Sequence, residues 1–140
     1  VSLYVDSSAV LAWLLEESGG FTSAEAISSA ERIATSALTL LECARGLSQA
    51  RQSGRISRAR ELGLLSVLDA TALDWFVIDI TETVLANART DFPVEPVRAL
   101  DSIHLASALH FRDAIGEISI LSLDKRLRDN ALALGIPVLP

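Results

Sequence analysis

Ser2-Leu3-Tyr4-Val5-Asp6, running directly into Ser7-Ser8-Ala9-Val10-Leu11-Ala12-Trp13-Leu14-Leu15, is the stretch whose reading decides the fold. Its opening is short, apolar and rich in strand formers, which predicts a buried strand. The run from Ala9 to Leu15 predicts a helix, capped by Ser7 or Ser8 and stopped before Gly19-Gly20. The same alternation recurs downstream. Strands are expected at residues 33–36, 75–80, 118–123 and 136–139. Helices are expected at 23–30, 38–52, 56–72, 83–89, 98–114 and 125–134, the last ended by Gly135 with Pro137 beyond it. Strands alternating with helices predict an α/β fold, a three-layer α/β/α sandwich around a mainly parallel central sheet. Without repeats, low-complexity tracts or linkers, residues 1–140 read as a single domain. Ligands in such folds collect beyond the carboxyl ends of the strands, which puts the residues just after each strand under scrutiny.

The totals narrow the function classes. Half the residues are apolar and 21% are charged, as in soluble globular proteins. One cysteine, Cys43, excludes an internal disulfide and reads as a packed thiol. No signal-peptide layout or membrane-length apolar run is present, so the expected compartment is the cytoplasm, with no membrane association. A formal charge of −6 argues against nucleic-acid binding by bulk electrostatics. That changes if four acids form a metal site, because two divalent ions would neutralise them. Arginines 45, 51, 55, 58 and 60 cluster on the helical hairpin. They read either as a solvated face or as an arm for phosphate backbone or an acidic partner.

Four acids stand out, each with a bland alternative. Asp6 ends the first strand; it could simply cap a helix, but Ser7 and Ser8 are available for that task. Asp124 follows the fourth strand, where an N-cap also belongs, and Ser122 is placed to orient it or to hold a metal-bound water. Asp101 lies in a helix whose apolar residues wrap most of the circumference, so its carboxylate is costly unless paired or coordinating. Its alternatives are a favourable first-turn acid or a pairing with Arg98 or His104. Glu42 falls opposite the apparent stripe of Ala37, Leu40, Leu41, Ala44 and Leu47, and on that ground pairs best with Arg45. Asp79 lacks partners. His104 and His110 lack the spacing of paired metal ligands and read as structural.

Taken together, four segments resemble the PIN-domain family, in particular the VapC-type toxins of type II toxin–antitoxin pairs. They are Tyr4-Val-Asp6-Ser-Ser-Ala9, Thr35-Ser-Ala-Leu-Thr-Leu-Leu-Glu42, Arg98-Ala-Leu-Asp101-Ser-Ile-His-Leu-Ala-Ser-Ala108, and Leu121-Ser-Leu-Asp124-Lys-Arg-Leu127 running on to Leu134-Gly-Ile-Pro-Val138. They occur in the family's order and span essentially the whole chain. The resemblance implies a metal-dependent endoribonuclease with Asp6, Glu42, Asp101 and Asp124 as the catalytic acids. Ser8 and Ser122 take the family's small hydroxyl positions, Ser122 where threonine is common. No acid of the pattern is missing. The implied metal ligands are Asp6, Asp101 and Asp124, with Glu42 reaching the metal directly or through water. All-oxygen ligands favour Mg²⁺ (or Mn²⁺) over zinc. A bound ion would activate water for attack on an RNA phosphodiester, and the family precedent is cleavage leaving a 3′-hydroxyl and a 5′-phosphate. The resemblance further implies a homodimer and a cognate VapB-type antitoxin. That partner's C-terminal segment would block the cleft, and DNA would be bound only through it. The physics is compatible: carboxylates about 4 Å apart repel by about 4 kcal/mol per pair at an effective dielectric near 20, which bound cations relieve.

Two rival readings remain at this level. A receiver-type phosphoacceptor domain would use Asp79, although Asp6-Ser7-Ser8 and Asp124-Lys125 supply its acid pair and lysine poorly. A non-catalytic protein-binding module would use the acids only as caps and surface pairs.

Overall fold

The computed structural model describes residues 1–140. Five strands, β1 (Ser2–Val5), β2 (Arg32–Ser36), β3 (Phe76–Ile78), β4 (Ser119–Leu121) and β5 (Val138–Leu139), form one sheet in the order β3-β2-β1-β4-β5. Every neighbouring pair is parallel. Seven helices make the connections: α1 (Ser7–Leu14), α2 (Gly20–Ser29), α3 (Ala37–Gln52), α4 (Arg58–Ala72), α5 (Glu82–Ala88), α6 (Ala99–Ile115) and α7 (Lys125–Ala133). The chain builds outward from β1 through β2 to β3, then returns across β1 to lay down β4 and β5. Strand order therefore reverses between β1 and β4, and the crevice beyond their carboxyl ends is the topological switch point.

β1 explains the layering. Side chains alternate across a strand, so Leu3 and Val5 enter a core with Val10, Leu14, Leu47, Leu64 and Leu68 from α1, α3 and α4. Tyr4 enters the opposite core with Leu105, Ala108, Phe111, Leu127 and Ala131 from α6 and α7. Leu3, Tyr4 and Val5 are all fully buried, as a strand covered on both faces demands. Cys43 is buried, and burial pushes its thiol up to about 12, so it packs rather than reacts.

Several boundaries shift from expectation. β3 occupies only Phe76–Ile78, because it lies at the sheet edge and pairs with three residues of β2. α2 starts earlier, at Gly20, where a Cβ would collide with the Ala12 carbonyl oxygen; glycine lets α2 sit against α1. Gly19 before it has φ +83°, a conformation glycine adopts without penalty. α6 is less uniformly buried than its composition suggests, with Leu100 about half exposed. No helix is long and apolar enough to cross a membrane.

The helical hairpin of α3 and α4 is pinned by a buried acid. Glu61 accepts from Arg51 Nε at 2.7 Å and Arg58 Nη1 at 2.5 Å. Arg55 pairs with Glu17 at 3.1 Å and Arg60 with Glu16 at 3.8 Å. Four of the five clustered arginines thus pair with acids of this chain. Burial pushes the Glu61 carboxyl up, but the hydrogen bonds and charges of Arg58 and Arg51 outweigh it and leave the net value lowered. A depressed carboxyl stabilises the fold above its unfolded value, and that benefit fades as pH falls through the folded one. Glu61→Gln is therefore expected to lower Tm at neutral pH. In thermal melts across a pH series, the gap from wild type should close below about pH 4; a constant gap would contradict the account.

Candidate active site at the carboxyl edge of β1 and β4

Asp6 follows β1, and its N–H still donates to Leu121 of β4 at 3.2 Å. Its residue is 4% exposed. Oδ1 accepts from the Ser8 hydroxyl at 2.7 Å and from the Ala9 N–H at 3.2 Å, and Oδ2 accepts from the Ser122 hydroxyl at 2.7 Å. Asp6 is itself the N-cap of α1, which corrects the expectation that Ser7 or Ser8 caps this helix. The reason is conformational: Asp6 has the extended φ and ψ of a strand end, as an N-cap needs, whereas Ser7 and Ser8 are already helical. Burial pushes the Asp6 carboxyl up, opposed by the hydrogen bonds from Ser8 and Ser122 and by His104.

The two small hydroxyls tie the ends of β1 and β4 together. Ser8 accepts from the Leu123 N–H at 2.9 Å, and Ser122 accepts from the Asp124 N–H at 3.0 Å. Ser122 thus connects Asp6 to the backbone of Asp124. Asp124 caps α7 through Oδ1, which accepts the N–H groups of Arg126 at 2.8 Å and Leu127 at 3.3 Å. The capping alternative is therefore real for both Asp6 and Asp124.

Asp101 stands in the first turn of α6. Its Oδ2 is buried and accepts no hydrogen bond. Arg98 Nε, the nearer of the two expected partners, stays at 3.8 Å, an ion pair but not a hydrogen bond. Burial pushes the Asp101 carboxyl up, and the negative charge of Asp124 adds to it, against the pull of Arg98, His104 and Arg126. Asp101 and Asp124 therefore share one electrostatic environment.

Glu42 reaches the same edge from α3. Its Oε1 accepts from the Ser7 hydroxyl at 3.1 Å and lies 2.6 Å from His104 Nε2. The expected pairing with Arg45 does not form. The face of α3 that is buried carries Thr39, Cys43, Leu47 and Ala50, while Leu41 is 60% exposed. The stripe read from the sequence was rotated, and Glu42 flanks the core rather than opposing it. His104 is the residue that sequence reasoning missed. It is buried, contacts Tyr4 through Nδ1 at 2.9 Å and touches Glu42 rather than Asp101. Its position one turn after Asp101, on the same face of α6, was the available signal.

Asp79 lies beyond the edge strand β3, separated from β1 by β2, and is exposed. The acid–acid neighbourhood that a phosphoacceptor reading needs is absent there. An apolar concavity of about 670 Å³ beside β3 is lined by none of Asp6, Glu42, Asp101 and Asp124. No three His, Cys, Asp or Glu side chains stand close enough to hold an ion in this arrangement. The donor chemistry nonetheless fits a hard divalent cation. It offers carboxylate oxygens alone, one of them buried without a partner, with two carboxyls raised by burial.

Comparison with known proteins places this geometry. No curated protein matches the chain by sequence. A chain from a toxin–antitoxin complex of Klebsiella pneumoniae superposes with a TM-score of 0.63 at 16% identity, covering 100% of this chain and 97% of that one. VapC20 of Mycobacterium tuberculosis, described as a sarcin–ricin-loop-cleaving toxin, gives 0.61 at 18% identity, covering 99% of each. PAE2754 of Pyrobaculum aerophilum gives 0.62 at 18% identity, covering 99% of this chain and 83% of that one. These likenesses establish the parallel α/β/α architecture. The family model for the PIN domain matches residues 3–133, and the chain belongs to the PIN-domain family.

Proposed function

We propose that the protein is an endoribonuclease dependent on Mg²⁺ or Mn²⁺, the VapC-type toxin of a toxin–antitoxin pair. The observation that carries this reading is the half-buried Asp101 carboxylate, whose buried Oδ2 accepts no hydrogen bond and whose charge is opposed by that of Asp124 at the switch point. A buried acid without a donor is expensive in isolation and useful beside a cation. Asp6, Asp101 and Asp124 would hold the ion, and Glu42 would complete the catalytic set of four. Ser122 and Ser8 hold Asp6 in place and keep the ends of β1 and β4 in register. Membership of the PIN family and the likeness to one structure named as a toxin and to a chain of a toxin–antitoxin complex support the same reading.

The chain's own groups set up the reaction. Asp101 and Glu42 are each partly exposed at this edge, so the acids can be reached from solvent. Asp6, locked by three donors, is a fixed anchor. Asp101 and Asp124 keep unpartnered oxygens for a ligand. A hard divalent ion, when bound, would supply neutralisation of the phosphate charge and activation of water. The expected surroundings are a cytoplasmic homodimer and a VapB-type antitoxin that presents a basic side chain to the acidic edge and carries the DNA contacts. RNA would be the substrate. A non-catalytic binding module is the alternative that the same experiments separate.

Four outcomes check this. Structured RNA incubated with the protein should be cut with Mg²⁺ or Mn²⁺ and left intact with EDTA. Asp6→Asn and Asp101→Asn should each reduce kcat by at least ~10²-fold, the scale of losing one preorganised electrostatic contact; EDTA-resistant cleavage or fully active variants would reject the mechanism. In EDTA, Asp101→Asn should raise Tm by a few degrees, because it removes a buried charge that lacks a donor. Saturating Mn²⁺ at about 100 times Kd should stabilise the wild type by about 2.7 kcal/mol, or roughly 10 °C. The Asp101→Asn variant should gain almost nothing, and a wild type indifferent to Mn²⁺ would favour the binding module.

A further inference from the structure

A buried polar chain crosses three elements behind the acidic edge. The Tyr4 hydroxyl of β1 meets His104 Nδ1 of α6 at 2.9 Å, and His104 Nε2 meets Glu42 Oε1 of α3 at 2.6 Å. Tyr4 is fully buried and the His104 side chain is 4% exposed, while Glu42 is 25% exposed. The two rings meet edge to face, with centroids 6.2 Å apart. Nothing about packing alone requires a histidine here, since the neighbouring core positions of α6 are filled by Leu105, Ala108 and Phe111.

Proton bookkeeping fixes the donor that faces Glu42. An ionised carboxylate only accepts, so the nitrogen facing it must carry the hydrogen. Nε2 therefore donates to Glu42. In the neutral ring Nδ1 is then an acceptor, and the Tyr4 hydroxyl donates to it. The opposite tautomer would set a nitrogen lone pair against a carboxylate oxygen at 2.6 Å. Both protein donors to Glu42, from Ser7 and His104, bind Oε1, so Oε2 has no protein donor.

We propose that His104 is the positioning residue of Glu42, held by Tyr4 as the Nε2–H tautomer, so that Oε1 is tethered and Oε2 is kept for ion or substrate. Supporting groups of this kind fix the orientation of an acid at a metal site, and losing one costs ~10–100-fold in affinity or activity. What Oε2 serves rests on the nuclease reading; the tautomer and the tether do not.

The test has an arm that needs neither metal nor activity. The chain has two histidines, and His110 is exposed, giving an internal reference. In EDTA, long-range ¹H–¹⁵N correlation should show His104 protonated at Nε2 alone. Tyr4→Phe should admit other protonation forms, and Glu42→Gln should shift the Nε2 proton upfield. The second arm measures RNA cleavage in Mn²⁺. His104→Phe should lower kcat ~10–100-fold with KM nearly unchanged, and His104→Gln, which retains an N–H of similar reach, should recover most of it. In a Glu42→Gln background, His104→Phe should add no further loss. Protonation of His104 at Nδ1 in the wild type would overturn the proposal. So would losses that add fully in the double variant, because those mark a general structural role. Should His104→Phe fail to fold, Tyr4→Phe and His104→Gln still decide it. A wild type without Mn²⁺ binding or cleavage would sink the nuclease reading while the spectroscopic arm continued to judge the tether.

Discussion

The structure depends on the clamp around Asp6, where one carboxylate takes hydrogen bonds from Ser8, Ala9 and Ser122 at once. These contacts join the end of β1, the start of α1 and the end of β4. The strands meet at the point where sheet order reverses, and no covalent neighbour holds them there. A buried carboxylate is tolerated only when donors surround it. The cost of burying Asp6 therefore enforces the register that its donors require. Capping of α1 and the Ser8 contact fall on one atom, because the oxygen that starts α1 is the one Ser8 fixes.

From that clamp the remaining acids are reached by short, directional links. Ser122 passes from Asp6 to the backbone of Asp124, which starts α7. Asp124 in turn raises the cost of a charge on Asp101. Glu42 arrives from the far side through Ser7 and His104, with Tyr4 behind them in the core. The acids differ in how fully they are satisfied: Asp6 accepts three hydrogen bonds, whereas the buried oxygen of Asp101 accepts none. Burial raises both carboxyls, so each charge carries a local cost, partly relieved at Asp6 by its donors and less so at Asp101 Oδ2. Natural active sites commonly carry such local cost.

Much of this was legible without coordinates. β1 was readable because Leu3-Tyr4-Val5 is apolar on both faces, which only a doubly covered parallel strand needs. Asp6 and Asp124 were readable because each follows a strand. Glu42 was not readable from its own helix, since the stripe inferred from leucine spacing counted Leu41, which is exposed, and omitted Thr39 and Cys43, which are buried. Its place came from resemblance to a family pattern, and its geometry came from His104. The partners of the arginine cluster were unreadable for a related reason: composition counts charges but not their partners, and Glu61, Glu17 and Glu16 pair with four of the five.

The sequence by itself determined the order of strands and helices, the two-sided burial of β1 and the candidate acids, because hydrophobic period and strand-end position are local properties of the chain. Tertiary structure alone decided that Asp6 rather than a serine caps α1, that Glu42 answers to His104 rather than Arg45, and that Asp101 keeps an oxygen unpaired. Those outcomes turn on hydrogen bonds between residues as far apart as Tyr4 and His104, or Asp6 and Ser122. Such pairs are chosen by the way helices pack on the sheet, and no local pattern encodes which donor will reach which acceptor.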